Sequence, residues 1–119
     1  METLELLKMI VETADEYKAM DLEILDVREV CSFADYFVIM CGNSTTQTST
    51  IAEKMQLKTK HAGNPPISLE GLPAAEWCLL DYGDIVVHIF LPAKREYYQL
   101  EELWSEATRV DAGDLTAAP

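Results

Sequence analysis

Apolar residues first recur at helical spacing. Leu7, Ile10, Val11, Ala14 and Tyr17 predict an amphipathic helix over about 4–20, with Thr3 as its N-cap. Residues 22–27 then read as a strand. After a polar link through Ser32, residues 36–41 are apolar without alternation, as in a central strand covered on both faces. Gly42-Asn43 closes that strand. Ser44 and Gln47 form a Ser-x-x-Gln capping box, which opens a second helix through about Ala62. Gly63-Asn64-Pro65-Pro66 stops it. A loop with Glu70-Gly71 and Pro73 leads into a hairpin with arms at 77–82 and 85–91, joined through Gly83 and Asp84. Pro92 breaks the second arm. Leu100, Leu103, Trp104 and Ala107 line one face of a short final helix, and the tail from Asp111 is small and polar.

Helix, strand, strand, helix, strand, strand, helix is an α/β order. It predicts a mixed β-sheet flanked by helices. The 119 residues suit one domain, expected over 1–110, with a flexible tail at 111–119. No apolar run approaches the roughly 20 residues of a membrane span. The opening Met1-Glu2-Thr3-Leu4-Glu5 lacks a basic start and a small-residue cleavage site, so a cytoplasmic location is expected.

Charge narrows the class of partner. The net charge is -12: residues 1–30 hold nine acids and three bases, 31–65 two and three, 66–119 ten and three. Binding phosphates needs Lys or Arg to replace released counterions, so nucleic acid is disfavoured as the main attachment. A basic protein surface is favoured, although acidic charge also serves solubility.

Candidate chemistry is sparse. Cys31, Cys41 and Cys78 form no Cys-x-x-Cys pair and read as reduced thiols, and two histidines 27 positions apart make no zinc spacing. Gly42-Asn43-Ser44 could cradle a phosphate, but without a Gly-x-Gly-x-x-Gly or a following Lys it reads as a helix cap. No Asp-x-Asp pair is placed to hold Mg²⁺, and Asp81 and Asp84 suit turn geometry. Cys78 and His88 sit on facing hairpin arms. Trp77-Cys78-Leu79-Leu80 would nevertheless keep the thiol neutral. His88 shares a face with Val86 and Phe90, either as a satisfied sheet histidine or as a contact residue. No enzymatic activity, metal or cofactor is expected. The densest candidate for a binding surface is Arg95-Glu96-Tyr97-Tyr98-Gln99-Leu100-Glu101-Glu102-Leu103-Trp104, rich in the Arg, Tyr and Trp of binding hot spots. Helix docking alone would account for Leu100, Leu103 and Trp104.

Several segments carry a resemblance. They are Leu25-Asp26-Val27, the run from Ser32 to Ile39, Glu70-Gly71, Trp77, the run from Asp81 to Phe90, and Arg95 through Trp104. Asp-x-Gly-Asp-x-x-Val-His followed by Tyr-x-Leu-Glu-x-Leu-Trp is specific as a combination. Over about residues 4–107 the chain resembles the ribosome silencing factor family, also called iojap-related. The resemblance implies a nucleotidyltransferase-like architecture without the catalytic carboxylates. It also implies binding to the large ribosomal subunit, through ribosomal protein fourteen of that subunit, at the face that meets the small subunit. Steric occlusion of subunit joining would then repress translation, with a further part in large-subunit assembly. The positions that fit the family's contacts are Trp77, Leu79, Tyr82, His88, Arg95, Tyr98, Leu100 and Glu101, while Leu103 and Trp104 would hold the final helix down. Relatives usually carry Arg near the start of the second helix, where this chain has Thr46, so any contact that Arg makes is missing here. Two alternatives stay open: a nucleotide-handling enzyme with its site near Ser44, and a homodimer paired through the hairpin.

Overall fold

The computed structural model describes residues 2–98 and 106–111, and of Tyr98 the backbone alone. Helix α1 spans Thr3–Glu16 and is followed by strands β1 (Met20–Asp26) and β2 (Tyr36–Cys41). Next come α2 (Thr45–His61), β3 (Ser68–Glu70), β4 (Trp77–Asp81), β5 (Ile85–Phe90), α3 (Pro92–Tyr98) and β6 (Thr108–Val110). The six strands form one sheet in the order β3-β4-β5-β2-β1-β6. Only β2 and β5 pair in parallel among these neighbours, so the sheet is mixed, as expected. A parallel pair needs a crossover, and α2 with β3 and β4 supplies it.

The two parallel strands are buried at every residue, which explains why they are apolar throughout apart from His88. Their alternate side chains serve two cores. One core lies under α1 and α2, where Leu7, Ile10, Ile51 and Met55 meet Val38, Met40, Leu80, Val87 and Ile89. The opposite core contains Leu25, Val27, Phe37, Ile39, Val86 and Phe90, with Trp77, Leu79 and Ala107 packed at its border. No helix among the described residues is long and apolar enough to cross a membrane.

Several boundaries differ from the sequence reading. Thr3 is the first residue of α1, and Glu2 holds the cap position without a side-chain bond. The Thr3 hydroxyl instead donates to Asp84 Oδ2 at 3.1 Å. α1 ends four residues early because Lys18 takes a left-handed conformation at φ 62°. β1 begins at Met20, two residues before the expected start. A bulge between Met20 and Glu23, with Asp21 at φ 51°, breaks the alternation that would have announced it. The short edge strand β3 falls in the expected loop, and β6 falls between the expected final helix and the tail. The helix expected around Leu100, Leu103 and Trp104 falls largely outside the described residues, as does the tail at 112–119. Ala107, expected on that helix, lies in a bend just before β6.

The cap of α2 follows the capping-box prediction with one change. Ser44 Oγ accepts from Gln47 N at 3.1 Å, but the Gln47 side-chain oxygen takes the Asn43 N–H, one residue earlier than the usual box, at 2.5 Å. The Gln47 amide then donates to the carbonyls of Tyr17 and Lys18, at 3.3 and 3.0 Å, tying the start of α2 to the end of α1.

Candidate partner-binding face

The turn of the β4–β5 hairpin is fixed by the residues of its motif. Asp81 Oδ1 accepts from Gly83 N at 2.8 Å, and Gly83 has φ +88°, a conformation glycine adopts without strain. The Asp84 carbonyl receives the N–H groups of Asp35 and Tyr36, at 2.7 and 3.1 Å, which locks the hairpin to the start of β2. Before the hairpin, Gly71 has φ +90°, and a Cβ built there would lie 2.0 Å from the Trp77 carbonyl oxygen. The Glu70-Gly71 step is therefore a close backbone crossing that sets where Trp77 enters the sheet.

Beyond that crossing, Trp77 pairs with Phe90 and Leu79 with His88 in the antiparallel register. All four lie on the face away from α1 and α2. The Trp77 indole stacks on Phe90 with ring centroids 4.9 Å apart and planes 28° apart. His88 runs parallel to Phe90 (5.9 Å, 7°) and meets Phe37 edge-on (5.6 Å, 69°). Trp77 Nε1–H donates to His88 Nδ1 at 3.2 Å. Trp77 and Leu79 are half-buried, while His88, Phe37 and Phe90 form a buried floor beneath them. Burial pushes the His88 imidazole down to about 4, so the ring is neutral near pH 7.

The expected contact residues do not all converge here. Trp77 and Leu79 do. His88 lies on this face but is only 6% exposed, so of the two roles left open for it the structure supports the satisfied sheet histidine. Arg95, half-buried on α3, donates to the Asp21 carbonyl in the β1 bulge and to Cys41 Sγ at 3.5 Å, so it helps to dock α3. Tyr82 is a correction. It projects into the helix-covered core, 9% exposed, with its hydroxyl 2.9 Å from Thr59 Oγ1. Its position one residue beyond the strand, on the Cys78 and Leu80 side, takes it away from Trp77. The Tyr98 side chain, Leu100 and Glu101 lie outside the described residues. Phe37 and Phe90 were not singled out from sequence, although their alternation with His88 and their place in the motif runs were available signals.

Little here supports bond-making chemistry. Cys78 faces the helices and His88 the opposite side, so the two cannot meet across the hairpin, and burial raises the Cys78 thiol. Among the described residues, no three His, Cys, Asp or Glu side chains are grouped to hold a metal ion. Thr46 is exposed on the first turn of α2.

Comparison with known proteins agrees with this architecture. The family described as ribosomal silencing factor during starvation matches residues 1–119. A ribosomal silencing factor of Zymomonas mobilis is 39% identical over 99 residues, covering 83% of this chain and 74% of that protein. A crystal structure of a Chromobacterium violaceum protein superposes with a TM-score of 0.86 at 37% identity, covering 88% of each chain. A mouse protein named for mitochondrial assembly of the ribosomal large subunit is 34% identical, covering 82% of this chain and 44% of its own length. By its match along the whole chain and its identity to these relatives, the chain belongs to the family of ribosomal silencing factors.

Proposed function

We propose that this protein binds the large ribosomal subunit through ribosomal protein fourteen of that subunit, and that its bulk there prevents the small subunit from joining. Translation is repressed by occupancy alone, which requires neither a cofactor nor a reaction. The observation that carries this reading is the half-buried Trp77 and Leu79 pair above a closed aromatic floor, in a member of this family. An aromatic anchor on a rigid support is what a hot spot requires. The family resemblance alone adds Tyr98, Leu100 and Glu101 as further proposed contacts. The net charge of -12 would steer the protein towards a basic ribosomal partner. A second role in large-subunit assembly is supported by the name of the mouse relative.

The test is co-sedimentation with purified large subunits, followed by a subunit-joining assay. Trp77→Ala should weaken binding by about thirtyfold, the size of a Trp hot spot, and should restore joining. Undiminished retention of the folded variant would remove this face from the interface. Retention of a dimeric species alone would favour a partner face made by two copies.

A further inference from the structure

We infer that His88 is a positioning residue, not a contact: its Nδ1 accepts the Trp77 indole N–H and fixes the angle at which the indole meets the partner. At 6% exposure His88 has almost no surface of its own to offer. The indole N–H can only donate, so Nδ1 at 3.2 Å must present a lone pair and the ring proton sits on Nε2. Trp77 and His88 are diagonal neighbours across the β4–β5 pair, since Trp77 is opposite Phe90 and Leu79 opposite His88.

The imidazole is itself held. Phe90 lies parallel to it at 5.9 Å and Phe37 meets it edge-on at 5.6 Å. An acceptor so clamped defines a direction, and the indole is oriented by that direction and by its stack on Phe90 at 4.9 Å. Stacking alone tolerates sliding and in-plane rotation of the indole. The hydrogen bond removes that freedom before the partner arrives, which lowers the ordering cost of binding. Neutrality of the buried imidazole suits this acceptor role.

The consequence for ribosome binding rests on the face proposed above, whereas the consequence for the indole does not. Two measurements separate them. A long-range proton–nitrogen correlation spectrum of the unmodified protein near pH 7 reads the His88 tautomer directly. An unprotonated Nδ1 with a proton on Nε2 is expected, and a proton on Nδ1 would overturn the assignment without any variant having to fold. The indole N–H resonances of the two tryptophans, assigned with Trp77→Phe, are then followed in His88→Phe and His88→Asn. Asn can place a carbonyl oxygen close to where Nδ1 lies, and Phe keeps the ring without an acceptor. In His88→Phe the Trp77 indole N–H should shift and exchange with solvent roughly tenfold faster, and binding to large subunits should weaken roughly tenfold, in line with the loss of one hydrogen bond. His88→Asn should restore most of both. An unmoved indole resonance in a folded His88→Phe would refute the inference. A moved resonance with unchanged ribosome binding would leave the indole assignment standing and remove the proposed face.

Discussion

The hydroxyls of Tyr82 and Thr59 lie 2.9 Å apart inside the helix-covered core, joining the hairpin to α2. Thr59 Oγ1 also reaches the carbonyls of Met55 and Gln56, at 3.0 and 3.2 Å. Burial pushes the Tyr82 phenol up to about 12, so it stays protonated across the range where the protein is folded. Tyr82→Phe should therefore cost about 1 kcal/mol of stability, because Thr59 keeps its other partners. Ribosome binding should be unchanged. Urea unfolding and co-sedimentation of the same variant check both halves, and a binding loss without a stability loss would return Tyr82 to the contact surface.

Gly71 is the position where a single methyl group should do most harm. Its φ of +90° disfavours any side chain, and a Cβ would sit 2.0 Å from the Trp77 carbonyl oxygen. Gly71→Ala should destabilise the fold by about 3 kcal/mol or more. The carbonyl belongs to the residue that carries the half-buried indole, so near-UV circular dichroism should change with it. Wild-type stability in Gly71→Ala would mean that the crossing is looser than the structure shows.

Stability should fall below neutral pH through His88. Its folded value is about 4 against an ordinary 6.5, so the unfolded chain binds more protons between those two values. The contribution is complete above about pH 6.5 and is lost as pH falls towards 4, by on the order of 3 kcal/mol in all. Acidic residues also titrate at the lower end, so the comparison is between wild type and His88→Phe from pH 7 to 5. The variant should lack about 2 kcal/mol of the wild-type decline. Parallel declines would show that the imidazole is not held neutral.

Thr48 offers the opposite sign. Its hydroxyl is buried without a hydrogen-bond partner among the described residues. The close contact with Gly42 fixes the room available, and Val keeps the shape of Thr while removing the hydroxyl. Thr48→Val should be neutral or stabilising by about 1 kcal/mol, read from the denaturant midpoint. A clear loss of stability would reveal a partner for the hydroxyl.

How much of this was visible in the chain depended on periodicity and on length. Tyr36–Cys41 is an unbroken apolar run, Ile85–Phe90 is interrupted only by His88, and both are buried central strands. Ser44 and Gln47 announced the cap of α2. The bulge at Asp21 and the left-handed Lys18 obscured the boundary between α1 and β1, because Lys does not signal a positive φ and a lone Asp signals it only weakly. Ser68–Glu70 and Thr108–Val110 are three residues each, too short for any period. On the Trp77 face, Trp77 and Leu79 were named through the family resemblance alone. The inward turn of Tyr82 was not legible. It depends on one residue of register past the end of β4, and on a hydroxyl partner 23 positions away on α2.

The Trp77 face is proposed to hold the large subunit. The direct measurement is the dissociation constant for purified large subunits of wild type and Trp77→Ala, with the variant's fold verified by its unfolding midpoint. Binding by the folded variant should be about thirtyfold weaker, with loss of its block on subunit joining. Equal affinities for the two folded proteins would contradict this proposal.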